Sequence, residues 1–233
     1  LSAASGHLAI NAAAGGLSGS GAMNFGGSQQ TVTVNQGGNS TYSGVISGTG
    51  ASLSKIGAGT LTLSGASSYS GGTTVSAGKL QAGASSSGAV TQGPLGTAGV
   101  TVASGATLDL AGQSLVNALN LSGQGVGAAG ALINSSATDA TASGAVTLAA
   151  DSTVGTTGAG ALRFAGAIDG AYALSVKSQG DVAFNAAVGG STPLASITTD
   201  AGGRTLLGAN VTTTGTQTYN DDVVASAAIT LQS

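Results

Sequence analysis

The stretch Lys55–Gly83 reads KIGAGTLTLSGASSYSGGTTVSAGKLQAG, and Gly, Ala, Ser, Thr, Leu and Val make up almost all of it. Within it Leu61-Thr62-Leu63 lies between Gly59 and Gly65, and Thr73-Thr74-Val75 lies between Gly72 and Gly78. Apolar and polar residues alternate at Leu61-Thr62-Leu63, which is the period of a strand with one face inward and one outward. Glycines at the ends of each run supply the sharp turns that short strands need. The segment therefore reads as folded strand and corner, with Leu61, Leu63, Val75 and Leu80 inward, the glycines at corners and the Thr and Ser residues outward.

The same alternation runs through the whole chain. Apolar-x-apolar triplets occur at Val32–Val34, Leu61–Leu63, Val100–Val102, Leu108–Leu110, Leu119–Leu121, Val146–Leu148, Leu162–Phe164, Leu174–Val176, Val182–Phe184 and Ile229–Leu231. Nine of these ten have a polar middle residue, so they read as short strands bounded by Gly, Ser, Asn and Asp turns. The nine-residue unit Gly57–Gly65 (GAGTLTLSG) recurs as Gly158–Gly166 (GAGALRFAG), and more loosely as Ser104–Gly112 and Gly144–Leu148. The copies share no fixed spacing, which implies a repeat whose strand core is constant while its connections vary.

Composition limits the fold further. Of 233 residues 42 are Gly, 6% are charged and 3% aromatic. Disorder goes with high charge and low hydropathy, whereas this chain has 41% hydrophobic residues and a net charge of −3, so it is expected to fold. All eight acids are Asp, and helix formers are scarce beside Thr, Ser, Val and Gly, which excludes long helices. A sandwich core usually holds large aromatics, whereas stacked coils fill a narrow interior with Leu, Val, Ile and Ala. The expected fold is thus all-β, a parallel β-solenoid with coils of ~20 to 25 residues and on the order of ten rungs.

Tyr42–Gly48, Leu53–Gly65, Tyr69–Val75 and Ala77–Gln81 together closely resemble the autotransporter-associated β-strand repeat. Gly130–Ser136 and Thr212–Asp221 resemble, more loosely, repeats of filamentous-haemagglutinin-type bacterial surface adhesins. These resemblances imply a right-handed parallel β-helix from the exported passenger of a surface protein. They divide one continuous segment, 1–233, into an autotransporter-type repeat at 42–82 and haemagglutinin-type repeats at 121–233. They further imply an extracellular or cell-surface location and an outer-membrane translocator as partner during export. Absence of Cys suits threading through a pore, where a disulfide would obstruct passage. The chain opens at Leu1 without Met or signal peptide and is expected to be an interior piece. With no polar cap at Leu1 and Ile229–Leu231 ending in mid-strand, it is expected to meet neighbouring β-helix segments or sister subunits end to end.

Candidate chemistry is sparse. The cations Lys55, Lys79, Arg163, Lys177 and Arg204 are scattered, so no basic stripe for nucleic acid forms. Parallel β-helices that cleave polysaccharides cluster Asp, Arg and Lys in a groove. Here Asp109, Asp139, Asp151, Asp169, Asp181 and Asp200 are dispersed, and only Asp221 and Asp222 adjoin. Neighbouring strand residues face opposite ways, so that pair cannot hold one calcium unless it lies in a turn. His7 is the only histidine, Ser18-Gly19-Ser20 lacks a base, and Gly123–Gly130 lacks the Lys-Ser or Lys-Thr of a phosphate loop. Sequons occur at Asn39, Asn120, Asn134 and Asn210, and Gln179-Gly180-Asp181 reads as a turn. No catalytic, cofactor-binding or metal residues are assigned. The expected role is a non-catalytic stalk, with direct binding of host or surface ligands by the outward Thr and Ser face as the alternative.

Overall fold

A computed structural model of the chain describes residues 7–12, 15–27, 29–86 and 91–233. The end expected to be uncapped at Leu1 lies outside the described residues. The fold is an all-β parallel solenoid of about ten turns, with essentially no helix. Among the described residues every pairing between strands is parallel, with partners one coil apart, and an isolated bridge between Ser67 and Gly93 is antiparallel. Thr62 faces Gln81, 19 positions on, and Gln81 faces Asp109, 28 positions on. That variation in coil length is why the nonapeptide copies share no period.

Each coil visits three faces in turn. The first runs through Leu8, Val32, Leu53, Thr73, Val100, Leu119, Val146, Ile168, Val188, Val211 and Leu231 in register. The second stacks Leu61, Leu80, Leu108, Leu132, Val154 and Val176. The third stacks Leu115, Ala142, Phe164, Phe184 and Leu207, where the two phenylalanine rings lie 5.4 Å apart and nearly parallel. First and second faces merge where Val146–Thr156 runs through both as one strand.

The inward residues named from sequence are all buried: Leu61, Leu63, Val75 and Leu80 are at most 2% exposed. Nine of the ten triplets place both apolar residues inside. The tenth does not: Leu231 pairs with Val211 but stays 49% exposed, because no described coil covers it. The nonapeptide copies occupy different faces, Leu61 on the second and Leu162 on the third. The unit thus encodes a corner followed by a strand, and carries no instruction about which side of the coil it builds.

Two expectations about polar residues require correction. Thr73 and Ser67, expected to face outward, are each 2% exposed. Thr73 sits inward between Leu53 and Val100, with its hydroxyl 2.6 Å from that of Tyr69 and donating to Leu95 O. The Ser67 hydroxyl accepts Ile46 N–H of the previous coil. Both hydroxyls find partners inside, so their burial leaves no polar group unbonded.

Corners dictate glycine. Gly57 adopts φ +80°, a left-handed conformation that glycine alone reaches without strain. At Gly65 the constraint is proximity, since a Cβ there would lie 2.1 Å from the carbonyl oxygen of Gly44 in the preceding coil. Gly65→Ala is expected to lower stability by about 1–3 kcal/mol through forced backbone displacement. Urea unfolding of the variant beside the parent checks this.

Candidate functional site

Lys55 stands in the inward column of the first face, directly between Val34 and Val75. Sequence counted it among scattered cations, yet it is 0% exposed. Alternation from Leu53 puts it there, and its four-carbon stem suits an aliphatic interior. Its Nζ reaches the corner between first and second faces and donates to Ile56 O (3.0 Å), Gly57 O (2.8 Å) and Ala77 O (3.2 Å). Ala77 belongs to the following coil. Desolvation lowers the pKa of Lys55 from its usual 10.5 to about 8. One coil earlier the same corner holds buried Gln36, whose Nε2 donates to Gly38 O and Thr60 O. In the same coil as Lys55, Tyr69 is fully buried and its hydroxyl pKa is raised by that burial.

Lys55, the glycine corners, Thr73 and Tyr69 all lie in one short segment, and the family model of the passenger-associated transport repeat matches residues 53–82. That repeat is characteristic of autotransporter passenger domains. The match falls inside the 42–82 region picked out by sequence. No curated protein and no solved structure matches the chain. The repeat family is generally non-catalytic, and it suggests secretion or surface display.

The dispersed carboxylates tie coils together. Asp109, expected on the outer side of its strand, is 0% exposed because Lys79 Nζ (3.4 Å), Gln81 Nε2 (3.1 Å), Ser135 Oγ (2.7 Å) and Ser135 N (3.1 Å) close over it from the coils on either side. Asp139 accepts Ala161 N and Arg163, and the Arg163 bond is the main cause lowering its pKa. Asp151 accepts Ala173 N, Asp169 accepts Ser191 N and Thr192 N, and Asp200 accepts Ser178 N. Asp181 of the Gln-Gly-Asp turn is bidentate to Arg204. Asp221 takes the hydroxyls of Thr199 and Thr205, while Asp222 is exposed, so the adjacent pair does not converge.

The remaining candidates stay apart. His7 is exposed on the first strand, and Ser18 and Ser20 are exposed on the second face of the same coil. Among the described residues no three His, Cys, Asp or Glu side chains form a group able to hold a metal ion. Gly123–Gly130 leads into a strap over the outside of the second face: Thr107 Oγ1 donates to Gly130 O and accepts Val126 N–H, and outward-pointing Ile133 is covered to 1% exposure. Of the sequons, Asn134 is fully buried, with Nδ2 on Thr138 O, Gly160 O and Ala161 O. Asn39 and Asn210 are exposed and accept backbone N–H of the next coil, and Asn120 is exposed on the first face.

That first face carries a continuous polar surface built from strand residues. Thr33, Ser54, Thr74, Thr101, Asn120 and Thr147 follow one another in register along its outside. Thr74, Thr101, Asn120 and Thr147 line an open groove of about 350 Å³ together with Gly72 and Gly99. Sequence composition signalled an outward hydroxyl face but not this single file. The buried Lys55 and Asp109 were missed, although strict alternation from Leu53 would have placed Lys55 inside.

Two outcomes follow from these charges. Below pH 8 Lys55 is protonated in folded and unfolded chains alike. Between pH 8 and 10 the folded state releases the proton first, so stability rises with pH. Above about pH 10, Tyr42, Tyr69 and Tyr219, whose pKa values burial raises, reverse the trend as the unfolded chain ionises more readily. Thermal melting of wild type against Lys55→Met is expected to show the pH 8–10 rise in wild type alone. Asp109→Ala is expected to cost about 3 kcal/mol, since it strands buried donors, whereas half-exposed Asp139→Ala costs under about 1 kcal/mol. Denaturant midpoints of the two variants test that ranking.

Proposed function

We propose that this chain is a structural stalk segment of a secreted, surface-displayed bacterial adhesin or extracellular fibre, and that it is not an enzyme. The observation that carries this reading is the unbroken parallel register of the first face through every coil, from Leu8 to Leu231. Each coil adds about 4.8 Å of length. Seven of the eight carboxylates, the groups a hydrolase or lyase would use, are bonded to hydroxyls, amides or cations, in each case including a partner from another coil. The passenger-associated transport repeat at 53–82 supports export and display. Neighbouring β-helix segments or sister subunits are the partners end to end, and an outer-membrane translocator is the partner in transit.

A second reading has one observation in its favour: the exposed file Thr74, Thr101, Asn120 and Thr147 lining an open groove. On that reading the outer first face itself contacts glycans, surfaces or sister molecules.

A register-exact deletion separates the two. Leu53, Thr73, Val100 and Leu119 share one register position, so removing residues 53–118 joins Ser52 to Leu119 and takes out three coils. The stalk reading expects a displayed fibre about 14 Å shorter, three times the strand spacing of ~4.8 Å, with adhesion unchanged. Electron microscopy gives the length. Loss of adhesion at equal surface display supports the binding face instead.

A further inference from the structure

The strand cores of this solenoid are nearly interchangeable. The Gly57–Gly65 unit builds the second face, and its copy Gly158–Gly166 builds the third. Inward columns repeat Val, Leu and Ile, so apolar burial alone scarcely distinguishes a strand's correct neighbour from the equivalent strand one coil further on. A chain of such units can close with a coil looped out and still bury its aliphatic side chains.

Buried polar side chains at the corners break that degeneracy. Gln36 accepts Leu17 N–H of the preceding coil at Oε1, and donates to Thr60 O of the following one. Asn134 accepts Gly112 N–H from the coil before and donates to Gly160 O and Ala161 O of the coil after. Asn117 donates to Gly96 O and Ala98 O of the preceding coil. Lys55 is the most demanding of the four, a buried ammonium whose third acceptor, Ala77 O, is supplied only by the coil that begins at Thr73.

We propose that Lys55, with Gln36, Asn117 and Asn134, is a register key: it selects which coil stacks on which, at a cost in stability. If the strand Ser52–Ile56 skipped a coil and lay against Val100–Val102, the corner facing Lys55 would be Ala103–Ala106. There Ser104, two residues past Val102, takes the place of Ala77, two residues past Val75, in a turn one residue longer between the inward strand residues, Val102 to Leu108 against Val75 to Leu80, so the corner carbonyls are not set as Lys55 meets them in the native coil. The ammonium would then lack its third acceptor in a medium without water, whereas a methionine in its place would meet no such penalty. This inference concerns assembly of the coils and stands whether the segment is a stalk or a binding face.

Absence of native Cys makes the test direct. In the native register Ser54 lies beside Thr74, and Thr101 lies one coil further on. Adjacent strands about 4.8 Å apart admit a disulfide, whereas a span of about 9.6 Å exceeds the roughly 7 Å limit between Cα atoms. The full chain carrying Ser54→Cys and Thr101→Cys is unfolded, refolded in a glutathione buffer and analysed by peptide mapping. Ser54→Cys with Thr74→Cys serves as the in-register control. The expected result is that the Ser54–Thr101 disulfide is scarce with Lys55 present, and that adding Lys55→Met increases it at least about tenfold, the worth of one charged hydrogen bond. An unchanged level of that disulfide overturns the proposal. So does a Lys55→Met chain that no longer refolds to form the control disulfide, because the lysine would then supply stability and not selection.

Discussion

In a stack of coils held about 4.8 Å apart by backbone hydrogen bonds, the closest same-face neighbour of a strand residue lies one coil away and not along its own strand. That spacing leaves no room for a side chain where two corners meet, which is why Gly65 sits against the Gly44 carbonyl. It also brings like residues onto like, so a column tolerates whatever fits between the coil below and the coil above. Leu, Val and Ile satisfy this by contact alone. Thr73, Asn134 and Lys55 satisfy it by bonding to carbonyls and amides that the corners leave free.

The carboxylates obey the same rule on the outer side. A chain with only 6% charged residues uses them sparingly, and seven of its eight Asp residues reach a partner in another coil. Their dispersal along the sequence is what this geometry needs, since an acid that joins successive coils has its partner about one coil away in sequence, before it or after it. The same dispersal, which argued against a catalytic groove, is positively accounted for as inter-coil bonding.

Period-2 alternation made the strands, the inward Leu and Val residues and the solenoid itself legible, because in and out are local properties of a strand. Which face a strand joins is not local. Leu61 and Leu162 sit in nonapeptides that agree at five of nine positions, yet they lie on different sides of the coil. Lys55, Thr73 and Asp109 were hidden for a related reason. A polar residue is normally read as outward, and its burial depends on acceptors and donors supplied from another coil. The strap over Ile133 was invisible as well, since covering an outward apolar residue takes a connection whose path the residue itself does not encode.

The inter-coil ladders run along the long axis of the stack, and this gives the molecule a mechanical character. Tension applied from end to end falls on hydrogen bonds aligned with the pull, and at each coil boundary the three faces share that load. The carboxylate contacts of Asp109, Asp139 and Asp181 cross the same boundaries as the backbone ladders and so act in parallel with them. Under load the boundary with the fewest such ties yields first, so the placement of a handful of aspartates grades the strength of the rod along its length.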